Sequence, residues 1–94
     1  MIIVKTSKQL ERYFKGVSNH RHIDILLTLK DSDGMTLDKI SDELKCNSKT
    51  VSGHTLRLVQ AGLINKKYKG RFVAHSLSPY GHKFVTFIKI FSRS

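Results

Sequence analysis

The chain has 94 residues, of which 39% are hydrophobic and 26% charged, and its formal net charge is +10. Its length predicts one small domain over residues 1–94, and its composition excludes a largely disordered chain. A single cysteine excludes an internal disulfide framework. No apolar run approaches the roughly 20 residues needed to span a membrane, and no secretory pattern is present, so we expect a cytoplasmic protein without a membrane partner.

The charge is distributed unevenly along the chain. All seven acidic residues lie at or before Glu43, together with seven of the 17 Lys and Arg residues, so this part is neutral. The other ten basic residues lie after Leu44 and carry the whole net charge. This asymmetry favours a polyanionic partner bound by the second half of the chain. The alternative is a lysine-rich surface that is simply well solvated.

The first part of the chain predicts two helices. Ser7 fits the N-cap of a first helix that runs to about Lys15, and Gly16 ends it. Asn19 fits the N-cap of a second helix, over about His20–Lys30, whose apolar residues recur at helical spacing. The stretch that follows, Asp31–Gly34, has the composition of a turn.

Two further helices follow at close spacing. Thr36 fits the N-cap of a third helix over Leu37–Leu44, and a three-residue break separates it from the next helix. Asn47 fits the N-cap of a fourth helix over Ser48–Gln60, and Gly62 supplies its C-terminal stop. Two short helices joined by a tight turn are the arrangement in which the second helix fits the major groove of DNA.

After Gly62 the hydrophobic period changes from 3.6 to 2. Leu63–Lys69 and Arg71–Leu77 are therefore predicted to form two strands of a hairpin. Ser78 and Pro79 open a last helix that runs to about Phe91, because a hydroxyl N-cap followed by proline is typical of a helix start. The chain is thus predicted to be mainly α with a small β-hairpin.

Several segments of this pattern resemble the winged helix-turn-helix transcription regulators, and within them the ArsR type. The resemblance covers about Arg21 to Phe91. The segments that carry it are Leu37–Leu44, Asn47–Ser52 with His54, Ala61–Ile64, Gly70-Arg71, Ser76–Ser78 and Gly81. It implies a dimer that occupies an operator on double-stranded DNA, most often as a repressor. Lys45 departs from the family because glycine is usual in that turn. Gly53 departs because it lies inside the fourth helix, where it lowers helix stability by about 1 kcal/mol relative to alanine.

The predicted DNA contacts lie on the fourth helix and on the hairpin, or wing. Because Val51, Thr55 and Leu58 share the inner face of the helix, the opposite arc and its flanks face the partner. On the helix these residues are Ser48, Lys49, Thr50, Ser52, Gly53, His54 and Arg57. On the wing they are Lys66, Lys67, Lys69 and Arg71. The alternative interpretation of the wing is a solvated edge hairpin that lysines protect from aggregation.

The first and last helices carry more large apolar residues than one small core needs. We expect them to form a dimer surface through Tyr13, Phe14, Phe84, Phe87, Ile88 and Phe91. A two-fold dimer would present its recognition helices to half-sites about one helical turn apart. The alternative is that these side chains only complete the core of the monomer.

No residue pattern indicates catalysis or a bound cofactor. The chain lacks a glycine-rich phosphate loop and a nucleophile elbow, so we expect no enzyme. Cys46 is interpreted as a small core residue of the turn, although a thiol sensor is an alternative. Zinc needs three or four convergent ligands, and the five histidines show no such spacing. Two other functions stay open: a protein-binding winged helix and a non-specific nucleic-acid binder.

Overall fold

The structure is a computed structural model and describes residues 4–93. Five helices and one hairpin follow in chain order: α1 (Ser7–Val17), α2 (His20–Asp31), α3 (Leu37–Leu44), α4 (Ser48–Gln60), β1 (Ile64–Lys69), β2 (Phe72–Leu77) and α5 (Pro79–Ser92). The predicted fold class, mainly α with a two-stranded wing, is confirmed. No helix of residues 4–93 is long and apolar enough to cross a membrane.

Side-chain caps begin α2, α4 and α5 where the sequence predicts. The Asn19 side chain accepts a hydrogen bond from the backbone N–H of Arg21 at 2.8 Å, and that of Asn47 accepts one from Lys49 at 2.7 Å. Ser78 Oγ accepts a hydrogen bond from the Gly81 N–H at 3.0 Å and begins α5. Each cap satisfies a donor that the first helical turn leaves without an intrahelical partner.

The bounds of α1 differ from the prediction at both ends. Thr6, not Ser7, is the N-cap, because its hydroxyl accepts from Gln9 N while the Gln9 side chain accepts from Thr6 N, which completes a capping box. Gly16 does not end the helix, which continues to Val17. Gly16 is instead a packing glycine, since a Cβ there would lie 2.7 Å from Ala61 Cβ.

The core lies around α2, which packs against α1, α3, α4, α5 and β2. Its largest fully buried side chains are Ile25, Leu26, Leu29, Ile40, Val51, Leu58, Leu63, Ile64 and Val85. Burial of such a side chain contributes about 1.5–3 kcal/mol to folding. The inner face predicted for α4, Val51 with Thr55 and Leu58, is buried as well.

The hairpin is fixed to the helical body at its base. Its antiparallel register runs from Ile64 opposite Leu77 to Lys69 opposite Phe72. His75 donates its backbone N–H to Met35 O at 2.8 Å, and its ring Nδ1 lies 3.0 Å from the same oxygen. Burial lowers the pKa of His75. This histidine therefore packs as a structural residue between the wing and the loop that precedes α3.

Candidate nucleic-acid interface

Apart from Leu56, the exposed side of α4 carries polar and basic side chains. Val51, Thr55 and Leu58 face the core, at 1%, 2% and 0% exposure. Five of the seven predicted contact residues are exposed and the other two, Gly53 and His54, are half-buried. The exposed five are Ser48, Lys49, Thr50, Ser52 and Arg57. The first turn of α4 also presents backbone N–H groups and the positive end of the helix dipole, which attract anions.

Backbone hydrogen bonds close the turn between α3 and α4. Lys45 occupies the left-handed region with φ 52°, where the family pattern has glycine. The Cys46 N–H then donates to Ser41 O at 3.0 Å. Cys46 is half-buried and packs against the hydrophobic core, as predicted for a residue of the turn. Its thiol donates to Leu44 O, at a sulfur–oxygen distance of 3.3 Å.

The wing presents its basic residues on two faces. Because side chains alternate along a strand, Lys66 shares one face with His75, while Lys67 and Lys69 lie on the other. Arg71 is exposed in the turn, beside Gly70 with φ 60°. The four residues predicted as wing contacts therefore surround the hairpin instead of lining one edge of it.

Two aromatic side chains of the wing are also exposed. Tyr68 is 75% exposed and Phe72 is 66% exposed. Sequence reasoning left Phe72 out of the site. The signal was available, because strand alternation places Phe72 on the face opposite the buried His75 and Leu77.

A cleft of about 330 Å³ joins α4 to the wing. Ser52 of α4 lines it together with Lys66 and Arg71 of the hairpin. Asp38 of α3 lies at the same cleft and is its acidic group. The polar side of α4 and the inner face of the wing thus form one continuous surface.

Within residues 4–93, the basic side chains of α4 and of the wing form no ion pair with a carboxylate. The ion pairs within residues 4–93 join Lys15 with Glu11 at 3.9 Å and Arg21 with Asp24 at 3.4 Å, both in the neutral part of the chain. The basic residues of α4 and of the wing take part in neither pair. Their charge is therefore available to an external anion.

His54 lies at the edge of α4 that meets α2. Its Nδ1 is 2.9 Å from His22 Nε2, and the two rings meet edge to face with centroids 4.8 Å apart. His22 is buried, and its Nδ1 lies 2.8 Å from Gly16 O. Sequence reasoning missed this pair because the two residues are 32 positions apart. In the part of the chain described, no three histidine, cysteine or acidic residues converge as metal ligands would.

The predicted dimer residues form an apolar cleft of about 360 Å³ between α1, α2 and α5. Five of them line it: Phe14, Phe84, Phe87, Ile88 and Phe91. Phe14 remains 51% exposed, Phe87 52% and Phe91 70%. Tyr13 stands apart from this cleft. Its ring packs on Tyr80 with centroids 5.0 Å apart.

Comparison with protein-family models matches residues 19–69 to the MarR family, which is 51 of the 94 residues. This segment runs from the cap of α2 to the end of β1 and includes the whole helix-turn-helix. Comparison with curated protein sequences gave no match.

Solved structures of transcription regulators share the fold. HlyU from Vibrio cholerae matches with a TM-score of 0.80 at 24% identity, over 97% of this chain and 96% of that one. A homodimeric winged helix-turn-helix DNA-binding domain from Mycobacterium bovis, a possible ArsR-family transcriptional regulator, matches with a TM-score of 0.83 at 16% identity, over 98% and 91%. The antimony-specific transcriptional repressor AntR matches with a TM-score of 0.81 at 16% identity, over 98% and 86%.

Proposed function

The chain belongs to the MarR family, and from that premise we propose that it is a dimeric, sequence-specific DNA-binding regulator of transcription that acts as a repressor. The proposal treats residues 1–94 as one winged-helix domain in the cytoplasm that works by binding and not by catalysis. The proposal is carried by two observations: the polar side of α4 and the inner face of the wing meet at one cleft, and the basic residues of α4 and the wing form no ion pair within residues 4–93.

The proposed DNA contacts divide by the chemistry of their side chains. Lys49, Thr50, Ser52 and His54 approach base edges or the adjoining backbone, and Arg57 binds phosphate. Ser48 offers its backbone N–H at the start of α4, and Gly53 leaves room for a close approach. The wing residues Lys66, Lys67, Lys69 and Arg71 bind the neighbouring phosphates.

The proposed dimer buries the apolar cleft of α1 and α5. A monomer of 94 residues gains little stability from leaving Phe14, Phe87 and Phe91 half or more exposed, and a contiguous apolar patch marks an association site. We place Phe84 and Ile88 in the same interface, and Tyr13 at its flank. The homodimeric state of the similar Mycobacterium bovis domain supports this arrangement, and the repressor role of AntR supports repression.

Fluorescence anisotropy at several salt concentrations tests the proposal. One duplex has random sequence, and the other is enriched from a random library by selection on the protein. We expect the selected duplex to bind at least about a thousandfold more tightly, as specific regulators do. The spacing of the enriched half-sites should be close to one helical turn, since a two-fold dimer spaces its recognition helices in this way.

Two results would overturn the proposal in different ways. Equal binding of both duplexes with a steep salt dependence identifies a non-specific nucleic-acid binder. Absence of binding to either duplex near physiological salt identifies a winged helix that binds protein instead.

A further inference from the structure

His22 connects the backbone of α1 to a side chain of α4. Its ring lies between Gly16 O, 2.8 Å from Nδ1, and His54 Nδ1, 2.9 Å from Nε2. His22 is only 5% exposed, and Gly16 is itself packed against Ala61 and Leu63. The position of His54 on the polar side of α4 is therefore tied to a rigid part of the fold.

The contacts determine where the protons lie. A carbonyl oxygen only accepts hydrogen bonds, so His22 Nδ1 must carry the hydrogen that it donates to Gly16 O. In neutral His22 the other nitrogen, Nε2, is then an acceptor. His54 Nδ1 must consequently donate to it, which leaves Nε2 of a neutral His54 without a proton.

We propose that His22 is a positioning residue that fixes the tautomer of His54, and that DNA binding is coupled to the uptake of one proton at His54 Nε2. This inference rests on the proposed function, because it places His54 beside the DNA. Protonation at Nε2 leaves the Nδ1–H bond to His22 in place. It therefore adds a positive charge to the DNA-facing side of α4 without breaking the link to α1.

The surroundings of His54 disfavour its protonation in the free protein. Burial lowers its pKa most, and the neighbouring His22, Arg57, Arg21 and His20 lower it further. From α1, Arg12 and Lys15 line the cleft beside His22. Arg21, one of these cations, is itself paired with Asp24 at 3.4 Å.

A DNA phosphate beside His54 would oppose the effects that lower the pKa of this side chain. An adjacent negative charge favours the protonated imidazole and raises the pKa of His54 in the complex. The complex then binds more protons than the free protein, so affinity rises as pH falls through the region of the His54 pKa. One proton per protomer corresponds to at most about tenfold in affinity per pH unit and protomer.

Imidazole nitrogen NMR spectra of the free protein, recorded from about pH 8 to about pH 5, test the pair without DNA. The variant His22→Asn keeps an amide donor for Gly16 O but removes the acceptor that faces His54. We expect His54 to carry its neutral-state proton on Nδ1 in the parent protein and to titrate below the ordinary value of about 6.5. In the variant the preference for Nδ1 should disappear.

A second variant covers the case in which His22→Asn does not fold. His54→Ala removes the donor from the half-exposed partner, and the His22 Nε2 resonance should then shift. The pairing is overturned if His22→Asn leaves the tautomer and the titration of His54 unchanged. It is also overturned if His54→Ala leaves the His22 Nε2 resonance unchanged.

Anisotropy titrations at about pH 6 and about pH 8 with the selected duplex test the coupling. The parent protein should bind more tightly at the lower pH. His54→Asn keeps a donor near the Nδ1 position but takes up no proton, so its affinity should change less with pH. His82→Asn removes an exposed histidine of α5 and is the matched control, which should keep the parental dependence.

The outcomes separate this inference from the proposed function. Tight, specific binding with the same pH dependence in the parent and in His54→Asn overturns the coupling and leaves the regulator proposal intact. Absence of DNA binding at every pH overturns both, whereas the spectra of the free protein still decide whether His22 positions His54.

Discussion

The face formed by α4 and the wing differs from the face formed by α1 and α5 in the side chains that it leaves exposed. The first presents cations such as Lys49, Arg57 and Lys67. The second presents aromatic rings, with Phe87 52% and Phe91 70% exposed. A charged surface is stable in water without a partner, whereas a contiguous apolar surface gains free energy when a partner covers it. The difference explains why we propose DNA for one face and a second copy of the chain for the other.

The largest expected effect comes from a charge on the apolar face. Phe87→Glu should convert the proposed dimer into monomers, because it buries an unpaired carboxylate in the interface. Loss of the second recognition helix should weaken specific DNA binding by about 10²–10⁴-fold, the usual contribution of a linked second site. Sedimentation measures the first change and anisotropy the second.

Thr86→Glu is the matched control for this charge. Thr86 is the neighbouring exposed residue of α5 and lies outside the apolar cleft. The Thr86→Glu variant should leave the proposed dimer intact. A Phe87→Glu protein that sediments as the parent does would remove the α1–α5 face from the interface.

Removal of charge from the wing should have the next largest effect. Replacing Lys67, Lys69 and Arg71 by alanine should weaken DNA binding and reduce its salt dependence. Each lost phosphate contact lowers the slope of log affinity against log salt by about 0.9, so three contacts lower it by about 2.7 per protomer. The measurement is the salt series on the selected duplex.

An equal loss of charge elsewhere provides the control. Alanine at Lys8, Lys83 and Lys89 removes three exposed cations from α1 and α5. This variant should keep most of the slope of log affinity against log salt. An unchanged slope in the wing variant would exclude the wing from the DNA interface.

Alanine substitutions at two glycines compare a buried position with one on the outer side of α4. Gly81 of α5 is buried, and a Cβ there would collide with Leu63 O. Gly81→Ala should therefore destabilise the fold by about 1–3 kcal/mol, the usual cost of overpacking. Thermal unfolding at fixed protein concentration should show a lower Tm, and an unchanged Tm would mean that the backbone yields at little cost.

Substitution of Gly53 in α4 should change the stability of the fold least, and in the opposite direction. A Cβ at this position would meet Arg57 Nη1 at 3.6 Å, an ordinary contact. Gly53→Ala should raise stability by up to about 1 kcal/mol through helix propensity. If DNA approaches α4 closely at this point, the same variant binds the selected duplex more weakly. Unchanged or stronger binding would mean that Gly53 is not needed for DNA contact.

Most of the fold could be predicted because the signals that define it are local. The caps Asn19, Thr36 and Asn47 act on N–H groups two or three residues away, and the change of period after Gly62 is visible within a few residues. The N-cap of α1 was missed because of the local Thr6–Gln9 capping box, whereas the end of α1 was a local choice decided by distant contacts. Gly16 looks like a helix stop in isolation, yet its role is to let α1 pack on Ala61 and Leu63.

The candidate site could be predicted in part for the same reason. The polar arc of α4 follows from its helical period, and the spread of the wing lysines over two faces follows from the strand period. The pairing of His22 with His54 could not be predicted, because it depends on how α2 crosses α4.

By itself, the sequence determined the order of the elements, the inner face of α4 and the concentration of positive charge after Leu44, since these depend on neighbouring residues or on composition alone. Only the tertiary structure decided that Ser52 and Arg71 share a cleft and that the ring centroids of Phe14 and Phe84 lie 5.3 Å apart. It also decided that His22 links His54 to the backbone of α1. The physical reason is that such contacts join residues from separate elements. Their distances are set by packing of the common core, which no single segment specifies.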